Sequence, residues 1–141
     1  MARVLGIDYG TKRVGIAATD NDQIIASGLT TVHSKDVIQF LERYILENDV
    51  EAIVIGQPKS LANTATNSSE SVENFTRHLE RKFKDLTIYR LDERFTSKLA
   101  FDSMIASGLS KSERANKELI DEVSATIILQ DFLEKRSNGF I

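Results

Sequence analysis

Three acidic residues stand where a carboxylate could do chemistry: Asp8 and Glu93, each closing a short apolar run, and Asp121 in the last long patterned segment. Taken alone, Asp8 ahead of Tyr9-Gly10 reads as a turn-forming residue, and Glu93 as a solvated strand end. Asp121 resists that reading. Its positions i+4, i+7 and i+8 are Ala125, Ile128 and Leu129, and Phe132 continues the stripe, so it extends a buried helical face. A carboxylate there costs on the order of several kcal/mol unless it is paired or holds a cation. If the three acids converge, they cannot all stay ionised without compensation. An all-oxygen site with no Cys and no nearby His suits Mg²⁺ or Mn²⁺. Two such ions about 3.5–4 Å apart would activate a water and steady the leaving oxygen of a phosphodiester. Glu122 points off the stripe and reads as a surface residue, and His33 and His78 read as structural or exposed.

The elements that must bring these acids together follow from the patterning. Residues 3–8 and 14–19 read as strands around the turn Tyr9-Gly10-Thr11-Lys12-Arg13, and Asp20-Asn21-Asp22 turns the chain into a third strand over 24–32. Ser34 is placed to cap a helix carrying Val37, Ile38, Leu41 and Ile45. A buried strand over 52–55 ends at Gly56-Gln57-Pro58, followed by a polar loop over 59–69 that is long enough to be functional. Asn67 and Glu70 have capping-box spacing before a helix with Val72, Phe75, Leu79 and Phe83 on one face. Residues 87–91 form the fifth strand, 96–107 a helix stopped by Gly108, 110–116 a charged connection, and 119–135 the last helix. Gly6, Gly10 and Gly15 read as backbone geometry. This order predicts an α/β fold: a five-stranded mixed sheet, opened by an antiparallel meander, with helices on both faces. Right-handed crossovers make the first, fourth and fifth strands parallel neighbours. Ligands of such sheets sit beyond the carboxyl ends of those strands, where Asp8, Gly56 and Glu93 all lie.

Composition narrows the classes. At 141 residues the chain is sized for one domain with its own core. It has no Cys, which excludes disulfides, thiolate metal sites and a Cys nucleophile. No apolar run approaches the ~20 residues of a membrane span and no signal-peptide pattern opens the chain, so a cytoplasmic protein is expected. A formal charge of -3 excludes nucleic-acid binding by overall charge. A local patch is still open, because residues 90–117 hold six basic and four acidic residues. The absence of Trp leaves no obvious aromatic platform for stacking bases.

Four motifs occur in order: Gly6-Ile7-Asp8-Tyr9-Gly10-Thr11-Lys12-Arg13-Val14-Gly15-Ile16-Ala17; Gly56-Gln57-Pro58; Asp92-Glu93-Arg94-Phe95-Thr96-Ser97; and Asp121 ahead of Ala125-Thr126-Ile127-Ile128-Leu129-Gln130. Together they resemble the bacterial YqgF (RuvX) family, described both as pre-16S rRNA nucleases and as Holliday-junction resolvases, with an RNase H-like fold. The resemblance covers essentially the whole chain. It implies a single RNase H-like nuclease domain over residues 1–141, with Asp8, Glu93 and Asp121 as the catalytic, metal-binding triad. The implied activity is Mg²⁺- or Mn²⁺-dependent endonucleolytic cleavage maturing the 5′ end of pre-16S rRNA, with branched DNA as the other substrate class. Ribosomal particles are implied as partners, and the chain would act as a monomer or homodimer. Lys12, Arg13, Lys59, Arg94 and Lys98 lie near the motifs and in this reading hold phosphates without reading sequence, although each also reads as a solvated surface charge. Thr11 and Thr96 read either as phosphate-orienting groups or as turn caps. Two departures stand out: 59–69 lacks the glycine usual in the family, leaving that loop's conformation open, and Val123-Ser124-Ala125 replaces the small residues that often follow the helix acid.

Two rival classes share parts of this pattern. Asp8-Tyr9-Gly10-Thr11 also fits the phosphate-binding turn of actin-like and sugar-kinase ATPases. Those enzymes need two such domains, and no Walker-type Lys loop is present. A non-catalytic RNA- or ribosome-binding module that kept the fold is the other.

Overall fold

Alternate residues along the strands sort into two apolar sets, and the helices divide between them. The protein is described by a computed structural model over residues 2–58, 67–93, 108 and 116–139. Strands β1 (Arg3–Tyr9), β2 (Arg13–Thr19), β3 (Ala26–His33), β4 (Val50–Pro58) and β5 (Thr87–Glu93) form one sheet in the order β3-β2-β1-β4-β5. β1, β2 and β3 pair antiparallel, while β1, β4 and β5 run parallel. The described helices are α1 (Val37–Glu47), α2 (Asn67–Lys82) and α3 (Lys117–Ser137). The meander, the parallel trio and the two-sided helical cover match the expected architecture.

Leu5, Ile7, Val14, Ile16, Ile53 and Ile55 pack against Val37 and Leu41 of α1 and Val72, Phe75 and Leu79 of α2. Val4, Ala17, Ala26, Ala52 and Val54, with Leu91, meet Ala125, Ile128, Leu129 and Phe132 of α3 on the other face. The period of two along each strand produces this division. The stripe below Asp121 is fully buried, with Leu129 and Phe132 at 0% exposure.

Boundaries differ from the sequence expectation where local chemistry intervenes. The Asp20 carboxylate accepts from the amides of Ile24 and Ile25, which holds those residues in the turn, so β3 begins at Ala26 rather than at 24. Ser34 does not cap α1; Asp36 occupies the N-cap, and the Ser34 hydroxyl instead donates to the Thr11 carbonyl at 2.7 Å. β5 runs on through Asp92 and Glu93, and α2 starts at Asn67, inside the segment expected as loop. The Asn116 side chain accepts from the amides of Glu118 and Leu119, starting α3 at Lys117. The helix expected over 96–107 and loop residues 59–66 lie outside the described residues.

α3 lies directly on the sheet backbone because the strands beneath it carry glycine. A Cβ at Gly6 would sit 2.8 Å from Leu129 Cβ and 2.9 Å from the Ala125 carbonyl oxygen. At Gly15 it would overlap the Asp121 carbonyl outright, and at Gly28 it would meet the Glu122 side chain at 2.8 Å. Glu122, expected on the surface, is therefore half-buried over β3. The Thr31 hydroxyl donates to the Glu118 carbonyl at 2.6 Å and ties the first turn of α3 to β3.

These contacts differ in what can yield. Gly15→Ala must push helical backbone off the sheet, so a loss of about 3 kcal/mol is expected. Gly28→Ala meets only the flexible Glu122 side chain, from Cγ outward, and should cost less, about 1 kcal/mol. Urea unfolding of both variants checks this ranking; equal losses would contradict the backbone contact.

Candidate active site

Asp8 is the last but one residue of β1 and pairs in register with Gly15 of β2. Because the Asp121 carbonyl sits over Gly15, the glycine brings the two acids to the same place from different elements. Burial pushes the Asp8 carboxyl up to about 6, helped by the Asp121 charge and opposed by the Ser124 hydroxyl. Ser124 is wholly buried, and its Oγ makes no full hydrogen bond among the described residues.

The turn after Asp8 delivers the compensating charge. The Gly10 amide donates to the Arg13 carbonyl at 2.9 Å, and a Cβ at Gly10 would stand 2.6 Å from that oxygen, so the reversal requires glycine. It returns the chain so that Arg13 Nε donates to Asp121 Oδ2 at 2.7 Å, with the side chains 40% and 20% exposed. A partly exposed, charge-assisted pair of this kind contributes about 1 kcal/mol. Ser34 fastens the tip of the turn through the Thr11 and Lys12 carbonyls. The result is an open cleft of about 290 Å³ lined by Asp8, Tyr9, Gly10, Thr11, Lys12, Arg13 and Asp121.

Of the sequence-derived triad, Asp8 and Asp121 come together. Glu93 ends β5 opposite Pro58 at the same sheet edge, and the described part of Glu93 is its backbone. β1 and β5 flank β4, about 10 Å apart at ordinary strand spacing. Gly56 lies between them, one residue past the Ile7–Ile55 pair, and adds no side chain to that gap. Among the described residues no group of three His, Asp or Glu is assembled. The charged donors of the Asp8–Asp121 pair are carboxylate oxygens whose mutual repulsion a hard divalent cation relieves, so the pair fits such a cation.

Of the basic candidates, Lys12 is exposed at the turn tip. Arg13 is engaged with Asp121 rather than standing free. Lys59, Arg94 and Lys98 lie outside the described residues. Arg90, part of the basic segment in the sequence, binds Glu73 at 3.0 Å and Glu80 at 2.9 Å on α2, so its charge is locally spent. Sequence reasoning missed Ser124, although it lies at i+3 from Asp121. It also missed Tyr9 as a wall of the cleft, despite its place beside Asp8.

Comparison with known proteins bears on the family and the fold. Residues 2–135 match the family model described as "RuvX: Holliday junction resolvase". A protein of Flavobacterium johnsoniae is 52% identical over 96% of this chain and 99% of its own length, and one of Amoebophilus asiaticus is 45% identical over the whole of both. Both carry the name "Putative pre-16S rRNA nuclease". Among solved structures, the fowlpox virus resolvase bound to Holliday junction DNA aligns with a TM-score of 0.62 at 13% identity, covering 95% of this chain and 98% of that one. RuvC of T. thermophilus with its junction substrate aligns at 0.59 and 15% identity, covering 98% and 97%. The fold is RNase H-like.

The raised Asp8 carboxyl makes stability depend on pH. Its folded value, about 6, lies above the ordinary 3.8, so its protonated form favours the fold below pH 4 and that contribution is lost as pH rises through 6. Asp8→Asn removes the burden. In metal-free buffer it should be more stable than the wild type by about 2 kcal/mol at pH 8, with the gap closing near pH 4. Thermal unfolding across that range checks this; a gap independent of pH would contradict it.

Proposed function

Because this chain belongs to the RuvX family, we propose that it is a metal-dependent endonuclease that hydrolyses phosphodiester bonds of precursor 16S rRNA, maturing its 5′ end. The observation that carries the reading is the Asp8–Asp121 pair, two carboxylates lining one cleft at the carboxyl edge of the parallel strands beside an exposed Lys12. Glu93, at the same edge, completes the triad, and residues 1–141 act as one nuclease domain in the cytoplasm. No described helix is long and apolar enough to cross a membrane.

Asp8, Glu93 and Asp121 would hold the cation, Mg²⁺ or Mn²⁺, in a two-ion arrangement. A bound divalent ion supplies the positive charge that activates water and steadies a leaving oxygen. Lys12, with Lys59, Arg94 and Lys98, binds backbone phosphates without selecting sequence. Arg13 keeps the Asp121 carboxylate aimed into the cleft, and the Ser124 hydroxyl favours the ionised Asp8 that a cation needs. Relatives at 45–52% identity bearing the pre-16S rRNA nuclease name support RNA as the substrate. The junction resolvases of the same fold support a second reading, branched DNA cut by a homodimer.

Wild type, Asp8→Asn, Glu93→Gln and Asp121→Asn, purified in parallel, decide the matter on a precursor rRNA fragment and a four-way DNA junction with Mn²⁺ or Mg²⁺. The expected result is RNA cleavage by the wild type, lost on chelation and reduced more than about 100-fold in each variant. Circular dichroism should show all four folded. Equal cleavage by all four would mean a contaminant, and preferential junction cleavage by a dimer would favour the second reading.

A further inference from the structure

Tyr9 borders two spaces. Strand alternation turns Asp8 toward α3 and Tyr9 toward α1 and α2. Over the end of β1, Tyr9 therefore also lines a groove of about 400 Å³ walled by Phe75, Val37 and Ile38 and rimmed by Asn74 and His78. Asn74, Phe75 and His78 share one face of α2 through i, i+1 and i+4 spacing. The Tyr9 ring stacks on Phe75 with centroids 4.3 Å apart and planes 19° from parallel, which fixes its orientation before anything binds. Among the described residues no Lys, Arg, Asp or Glu lines the groove, and its polar lining is neutral hydroxyls, an amide and an imidazole. It offers aromatic and aliphatic walls, together with an amide that both donates and accepts and an imidazole, the last two at exposed positions of α2. A flat, neutral heterocycle with polar edges fits that combination.

We propose that this groove receives an unpaired nucleobase of the strand whose phosphate lies at Asp8. The proposal rests on the nuclease reading above and deepens it. Tyr9 is the pivot: the backbone stays in the carboxylate cleft while one base turns over the strand end onto the aromatic wall. A base held in a duplex cannot make that turn, so the preferred substrate is single-stranded at this nucleotide.

The test is a short fluorescent single-stranded RNA made as a series, with one abasic nucleotide moved stepwise across the cleavage position. Binding is measured by anisotropy without divalent metal, and cleavage is measured separately with Mn²⁺. Loss of the base at one position should weaken wild-type binding about tenfold or more. Tyr9→Ala should bind the intact RNA as weakly as the wild type binds that abasic RNA, with no further loss when the two are combined. Asn74→Ala and His78→Ala, both at exposed positions, should leave thermal stability unchanged and weaken discrimination between bases at that position alone. A flat abasic series, or full additivity with all three variants, overturns the proposal. If the wild type cuts RNA while the series is flat, only the groove assignment fails. If it neither binds nor cuts any member, the nuclease reading fails with it.

Discussion

The contact on which the arrangement depends is helical backbone resting on sheet backbone at Gly15. A helix packed on a sheet through ordinary side chains stands about 10 Å away, and a short acid on it would not reach one on a strand. Here the Asp121 carbonyl occupies the space a side chain of residue 15 would need. Gly15 is the register partner of Asp8, so the position that admits the helix is also the one beside the strand acid. Gly6 and Gly28 on the flanking strands extend the channel, and Ala17 and Ala26 keep that face shallow. The opposite face carries Leu5, Ile7, Val14 and Ile16, and α1 and α2 pack there through side chains. One sheet thus supports two kinds of helix packing, and the acids belong to the closer one.

That closeness has a cost, visible in the raised Asp8 carboxyl, which burial lifts first and the neighbouring Asp121 charge lifts further. Two answers are built in. Arg13 supplies a cation to Asp121 from a turn that glycine makes tight enough to return it, and Ser124 favours ionised Asp8 from one turn further along α3. Neither removes the strain, since Asp8 remains well above its ordinary value with both in place. A fold selected only for stability would put Asn or Ser at position 8. A buried acid that stays uncomfortable is the usual mark of a site whose stability is subordinate to its chemistry.

Much of this was legible in the sequence because periodicity survives translation into contacts. The Asp121–Ala125–Ile128–Leu129–Phe132 stripe names the buried side of α3, and apolar runs ending in acids name the strands and their carboxyl ends. What could not be read are relations between elements. That Gly15 matters was legible; that its partner is the Asp121 carbonyl was not, because no local pattern tells where a helix crosses a sheet. Glu122 failed for the same reason, since its surroundings are set by β3 and not by its own helix. Ser34 looked like a cap by position, yet its hydroxyl went to Thr11, 23 residues away in the chain. Arg13 looked like a free cation and proved to be a partner. The basic residues Lys59, Arg94 and Lys98 lie outside the described residues.

Parity along β1 links the acids to the aromatic pair. Even-numbered residues Val4, Gly6 and Asp8 face α3, and odd-numbered Leu5, Ile7 and Tyr9 face α1 and α2. Within the sheet these faces are insulated from each other by the strand layer. They meet only at its rim, where β1 gives way to the Gly10 turn and neighbouring residues open onto two spaces. A ligand that crosses that rim from the carboxylate cleft toward α1 and α2 passes Tyr9, which lines both spaces. The acidic residue and the aromatic one need no special loop to be adjacent. They are consecutive in the chain and opposed in direction, which a strand end alone is enough to produce.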